Sequence, residues 1–253
     1  MFDQPLTRSQ FVDRIKESRP LLMDGAVGTA LYNMGVPLDK PIELLNLDSP
    51  RLVADIHRAY IEAGSDIIET NSFSANRFKL NKFGQGGRVS EINSAGVTIA
   101  RRVINSSFKP VLLAGSVGPL AVSIAPLGRV SIQQVRAAFT EQITSLIDPI
   151  SAEQGVDLLL IETMSNLQEL RTAVEVARII RPDIPIVVQM TFHQDDRTQE
   201  GYTAEEVAWQ LERLDVEVIG INCSSGPAQI FRLLQKFPKN KIPYLAASPN
   251  AGW

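Results

Sequence analysis

The only cysteine of this 253-residue chain, Cys223, ends the apolar run Val218-Ile219-Gly220-Ile221-Asn222 and is followed by Ser224-Ser225-Gly226-Pro227. A thiol at the C-terminal end of a buried strand faces the mouth of a pocket, where a thiolate can attack a substrate or ligate a metal. The competing reading is a small buried hydrophobe that happens to be cysteine. Two carboxylates end other apolar runs in the same way: Asp24 closes Leu21-Leu22-Met23, and Glu162 follows Leu158-Leu159-Leu160-Ile161. At a pocket mouth such groups bind an ammonium or move a proton; elsewhere they cap helices or fix loops. Of the two histidines, His57 falls inside the helical stretch Leu52 to Ala63, and His193 follows the run Ile186 to Thr191. His193 permits a Cys–His nucleophilic pair with Cys223, although no catalytic-cysteine signature accompanies it and a loop histidine beside Gln194-Asp195-Asp196-Arg197 is more often solvated. One cysteine is too few for an ordinary zinc site, which takes three or four protein ligands.

The elements that must position these groups alternate. Short apolar runs, read as strands, occupy Leu21 to Asp24, Asp66 to Asn71, Val111 to Ser116, Leu158 to Thr163, Ile186 to Thr191, Val218 to Cys223 and Tyr244 to Ser248, seven in all. Their near-continuous hydrophobicity is that of parallel strands buried on both faces. Helical stretches lie between them: Pro50 opens one that stops at Gly64, and Thr7/Gln10, Ser131/Gln134, Ser165/Gln168 and Thr203/Glu206 read as capping boxes. This alternation implies a parallel α/β sheet, a (β/α)8 barrel or an open doubly wound sheet. The barrel is favoured by polar groups at strand tip after strand tip (Asp24, Thr70-Asn71, Ser116, Glu162-Thr163, Cys223) and by the lack of a dinucleotide or phosphate-loop fingerprint in Gly25-Ala26-Val27-Gly28-Thr29. Gly84 to Gly87 reads as a flexible connection. With strand-to-strand steps of roughly 25 to 30 residues and only Pro249 to Trp253 after the seventh strand, the expectation is a TIM barrel lacking strand eight and its flanking helices, one domain over 1–253 incomplete at its C-terminus.

Composition excludes several classes. The chain is 44% hydrophobic and 21% charged with a net charge of −3, so it has the profile of a globular protein and no electrostatic case for nucleic acid or an anionic membrane surface. One cysteine forms no internal disulfide, and no apolar run nears membrane-spanning length, which points to a reducing, cytoplasmic setting.

The motifs Asp24-Gly25-Ala26-Val27-Gly28-Thr29, Tyr60 to Phe73, Gly115-Ser116-Val117-Gly118-Pro119, Ile161-Glu162-Thr163, Gly220 to Cys223 with Gly226-Pro227, and Pro249-Asn250-Ala251-Gly252 occur in the order of a known family. The chain resembles the zinc- and homocysteine-dependent S-methyltransferases, among them the homocysteine-binding module of cobalamin-dependent methionine synthase, betaine–homocysteine methyltransferase and S-methylmethionine-dependent enzymes. Ala75 to Leu80 looks most like the branch in which this domain is fused to a methylenetetrahydrofolate reductase. The resemblance implies a (β/α)8 barrel that transfers a methyl group to the zinc-held thiolate of homocysteine, giving methionine. It implies that Cys223 is catalytic as the first of three zinc ligands, the other two being a Cys-Cys pair at strand eight that this sequence lacks. Asp24 and Glu162 would bind the substrate ammonium, the amides of Gly25, Ala26 and Val27 its carboxylate, and Asn222, Asn71 and Asn250 would shape the pocket. Methylcobalamin, methyltetrahydrofolate, betaine and S-methylmethionine all remain open as methyl donors, and a fused or separate reductase or cobalamin module as partner. With one zinc ligand of three, the chain is expected to bind zinc weakly and turn over slowly; the alternative is a homocysteine- or amino-acid-binding module without catalysis.

Overall fold

The computed structural model describes residues 6–17, 19–37, 40–152, 154–237 and 244–251. Six strands, β1 (Ile67–Glu69), β2 (Leu112–Val117), β3 (Leu158–Met164), β4 (Ile186–Met190), β5 (Val218–Asn222) and β6 (Leu245–Ser248), form one sheet in the order β1-β2-β3-β4-β5-β6. Every neighbouring pair is parallel. Parallel neighbours need crossover connections, and helices supply them. In chain order the helices are α1 (Arg8–Ile15), α2 (Val27–Asn33), α3 (Leu45–Asp48), α4 (Pro50–Ala63), α5 (Arg77–Asn81), α6 (Val89–Ser107), α7 (Ile132–Ile147), α8 (Leu167–Ile180), α9 (Ala204–Leu211) and α10 (Pro227–Leu234). The arrangement is that of a (β/α) barrel with six strands among the described residues, curled and open between β6 and β1.

Side-chain alternation along the strands divides the core in two. In β3, Leu159 and Ile161 join the layer between sheet and helices, with Phe139, Ile143 and Leu170, whereas Leu158 and Leu160 point into the barrel. The inner cluster also takes Ile67, Leu112, Ala114, Val187 and Val218, and Leu6 and Phe11 of the N-terminal segment plug it. That plug is at the N-terminal end of the strands: Arg8 of α1 pairs with Asp215 (2.5 Å) and with Glu217, which immediately precedes β5. Each fully buried side chain of this kind stabilises the fold by about 1.5–3 kcal/mol. Because the lower lumen is closed by apolar groups, the polar residues one or two inward steps further along each strand face the opposite, C-terminal end. A buried ion pair braces the outer layer: Arg101 of α6 donates to Asp157 (2.9 Å), which also accepts the Leu113 amide (2.7 Å).

Two local expectations are corrected. Leu21 to Asp24 is a single bridge, Met23 to Ile67, and no full strand. The Leu22 amide donates to the Asp66 carboxylate (2.9 Å) instead of a main-chain carbonyl, so pairing does not extend, although the Asp24 amide still reaches the Ile67 carbonyl (2.9 Å). The cap of α8 is Asn166, whose Oδ1 accepts the Glu169 amide (2.8 Å), and the Ser165 hydroxyl bonds Gln199 instead. The boxes at Thr7, Ser131 and Thr203 are formed, and Gly64 ends α4 with φ +107°, a left-handed conformation suited to glycine.

Candidate functional site

Three carboxyl groups converge at the C-terminal mouth. Inward alternation from Leu158 and Leu160 puts Glu162 in the lumen, where Oε1 accepts the Ser116 hydroxyl (2.6 Å) and Oε2 the Asn222 amide (3.0 Å). Alternation from Ile67 does the same for Glu69, whose carboxyl hydrogen-bonds that of Glu162. Asp24 arrives from the segment beside β1: Oδ2 accepts the Glu69 amide (3.0 Å), and Oδ1 is buried without a partner. Burial, reinforced by the Glu162 charge, pushes the Asp24 carboxyl up to about 8. Burial, with the charges of Glu162 and Asp24, raises Glu69 well above the usual carboxylate range. Glu69 therefore keeps a proton, and a proton between the two carboxyls is what makes their contact tolerable. Gln189 of β4, fully buried, donates to the Ser248 hydroxyl (3.0 Å) and leaves its own Oε1 unpartnered.

Cys223 stands beside this group on a turn that is costly to form. Thr163, Cys223 and Ser224 all have positive φ (56°, 55° and 53°), a region non-glycine residues enter at about 1 kcal/mol or more each. Asn222 Oδ1 accepts the Thr163 amide (2.9 Å), the Cys223 amide reaches the Ser248 carbonyl (3.0 Å), and the Asn250 amide the Ser225 carbonyl (3.0 Å). The sulfur accepts from Asn222 Nδ2 (3.5 Å) and Thr163 Oγ1 (3.7 Å). Burial raises the thiol pKa, helped by the Glu162 charge and opposed by the Thr163 hydroxyl. Left to itself, this thiol stays protonated at neutral pH. A metal would reverse that, yet among the described residues no group of three or more His, Cys, Asp or Glu is placed to hold one. The residues present do not by themselves fit a zinc ion.

The other residues singled out in the sequence fall around this centre. Gly25 and Ala26 are exposed and lead into α2, whose first residue is Val27; Ala26 caps α2 without a side-chain hydrogen bond. A side chain at Gly25 would come within 2.8 Å of the Tyr60 hydroxyl and would have to push the Tyr60 ring aside. Asn71 is buried, and its amide donates to the Ile42 carbonyl and Asn46 Oδ1 (3.0 Å each), bracing the segment before α4. Asn250 is exposed, and of the Pro249 to Gly252 motif Gly252 lies outside the described residues. His57 is fully buried in α4, where burial lowers its pKa to about 4, and His193 is exposed after β4. Asp24, Glu162, Asn222 and Cys223 are thus brought together, while Asn71 and Asn250 attach to them only through the backbone frame. Glu69 and Gln189 escaped sequence reasoning, although the two-residue alternation that places Ile67 and Val187 in the lumen also places them there. A surface groove between α4 and α6, rimmed by Arg51, Arg58, Arg102 and Lys109, holds none of these groups. No helix among the described residues is long and apolar enough to cross a membrane.

A family model described as homocysteine S-methyltransferase matches residues 21–253. The chain is similar to methionine synthase of Mycobacterium leprae (strain TN), 31% identical over 92% of this chain and 20% of the relative. It is similar also to methionine synthase of Mycobacterium tuberculosis (strain ATCC 25618 / H37Rv), 30% identical over 99% of this chain and 22% of the relative. It thus spans about a fifth of the length of these curated relatives. Among solved structures, the metallated homocysteine methyltransferase MmuM from Escherichia coli superposes with a TM-score of 0.79 at 22% identity, over 95% of this chain and 87% of that one. At that identity the likeness is one of fold.

Proposed function

Starting from a chain that belongs to the homocysteine S-methyltransferase family, we propose that its mouth binds homocysteine and presents the substrate sulfur for methylation to methionine. The observation that carries this reading is the buried, unpartnered Oδ1 of Asp24 beside Glu162. Buried acceptors without donors are costly, and an ammonium supplies donors and charge together. In this reading Asp24 and Glu162 take the amino group, and Ser116 and Asn222 hold Glu162 in its orientation. The free amides of Gly25, Ala26 and Val27 receive the carboxylate. Methyl transfer forms a carbon–sulfur bond to the homocysteine thiolate and breaks the bond between the methyl and its donor, whose electron pair leaves with the donor. Zinc, if bound, would supply the positive charge that keeps a thiol ionised at neutral pH. Cys223 would be one ligand for it, and the described residues supply no others. On its own this chain is accordingly expected to bind zinc weakly and to turn over slowly.

The methyl donor stays open between methylcobalamin, methyltetrahydrofolate, betaine and S-methylmethionine. Relatives about five times as long favour work beside a donor-carrying module, cobalamin or methylenetetrahydrofolate reductase, in the cytoplasm, where Cys223 stays reduced. A second reading, amino-acid binding without catalysis, is favoured by the raised pKa of the Cys223 thiol. Calorimetric titration with homocysteine, with and without a chelator, separates the two. Binding lost in Glu162→Gln and strengthened by zinc supports the transferase; binding lost in Glu162→Gln but indifferent to chelation supports the module. Binding unaffected by Glu162→Gln contradicts both.

A further inference from the structure

Glu69 has no task in the reading above, yet it is the third carboxyl at the mouth. Its amide donates to Asp24 Oδ2 (3.0 Å) and its carboxyl contacts Glu162, so it lies between the other two. None of the ion pairs among the described residues includes Asp24, Glu69 or Glu162. Independently of the carboxyl groups, the fully buried Gln189 presents an oxygen with no donor, its nitrogen being turned to Ser248. At the carboxyl groups, Asp24 Oδ1 is thus a buried oxygen without a partner, and no cation among the described residues pairs with any of the three. A bare metal ion does not answer that lack, because these side chains are not placed to hold one. A polyatomic cation with several N–H groups does.

We propose that Glu69 is the third wall of the ammonium subsite formed with Asp24 and Glu162, and that this subsite selects an unsubstituted primary ammonium. A primary ammonium has three donors, and once its charge has drawn the protons off Asp24 and Glu69 the three side chains offer one acceptor to each. An N-methyl group removes one donor and sets a methyl against a buried carboxyl, leaving that acceptor unpaired. A ligand without the amino group leaves all three unpaired. This inference rests on the reading of the mouth as a homocysteine site.

The test is calorimetric titration of the unaltered chain and of Glu69→Gln, Glu69→Asp and Asp24→Asn with three probes: homocysteine, N-methylhomocysteine and 4-mercaptobutanoate. The unaltered chain is expected to prefer homocysteine to its N-methyl form by roughly tenfold or more, the scale of one lost charge-assisted hydrogen bond. Glu69→Gln, nearly isosteric and checked for folding by circular dichroism, should weaken homocysteine by a similar factor, shrink the preference over the N-methyl form, and leave 4-mercaptobutanoate unchanged. Glu69→Asp, which keeps the charge but withdraws it by one methylene, should fall between, and it carries the test should Glu69→Gln not fold. Unchanged homocysteine affinity and selectivity in the Glu69 variants, with binding lost in Asp24→Asn, overturns the role of Glu69 and leaves the homocysteine reading standing. No homocysteine binding by the unaltered chain overturns that reading and this inference with it.

Discussion

In the folded chain the Asp24 carboxyl keeps its proton up to about pH 8, whereas in an unfolded chain the same group ionises near its ordinary value of 3.8. Between those values the folded state holds the extra proton, so stability is fully present below the unfolded value and is lost as pH rises through the folded one. Each pH unit in that window costs at most about 1.4 kcal/mol, or about 4 kcal/mol from pH 5 to pH 8. Asp24 Oδ1 is buried, but the residue as a whole is partly exposed at an open mouth, so solvent screening reduces the figure to about 2 kcal/mol. Asn at this position cannot ionise, and its amide oxygen can still accept the Glu69 amide. Asp24→Asn is therefore expected to be more stable than the unaltered chain at pH 8, by a margin about 2 kcal/mol larger than at pH 5. For a chain of this size that is about 4–8 °C in melting temperature. Urea unfolding of both proteins at the two pH values, without ligand, measures it directly. A margin that does not grow with pH, or that reverses sign, refutes the claim that Asp24 is held against its preferred ionisation for the sake of a ligand.

Three further outcomes follow from the same geometry. Homocysteine binding should release protons from Asp24 and Glu69, because the incoming ammonium favours their ionised forms; the calorimetric enthalpy near pH 7 should then vary with buffer ionisation enthalpy, and less so in Asp24→Asn. Gly118→Ala puts a methyl 2.5 Å from Phe73 Cε2 and 2.6 Å from the Phe73 carbonyl oxygen, where β1 and β2 deliver their loops, and should cost about 1–3 kcal/mol in thermal unfolding. Asp157→Ala strands the buried Arg101 guanidinium and the Leu113 amide and should cost about 3–5 kcal/mol, whereas Asp157→Asn, which keeps an acceptor for Leu113, should cost less on urea denaturation.

Much of the architecture was legible because parallel strands buried on both faces must be apolar and must be joined by helices, and Leu158 to Ile161 or Val218 to Ile221 can be little else. Leu21 to Asp24 read as a strand for the same reason, but a run that short is decided by where its amides go, and the Asp66 side chain takes the Leu22 amide. The cap at Asn166 was missed because Ser165 and Asn166 both suit the role, and the choice depends on Ser165 reaching Gln199. Asp24, Glu162 and Cys223 were visible as polar endings of apolar runs. Glu69 was not singled out, since until Asp24 and Glu162 are set on either side of it, it falls inside the strand read over Asp66 to Asn71, whose polar tip is Thr70-Asn71. The positive φ at Thr163, Cys223 and Ser224 had no sequence signal either, for none is glycine; Asn222 and Ser248 hold that turn from outside it.

The central claim, that the mouth holds homocysteine by its amino group, is tested most directly by a crystal structure of the chain with homocysteine bound. The account predicts the ammonium at about 3 Å from Asp24 Oδ1 and Glu162, in contact with Glu69, with the sulfur turned toward Cys223. Homocysteine seated elsewhere, as in the basic-rimmed groove between α4 and α6, or bound with its amino group away from Asp24 and Glu162, contradicts it.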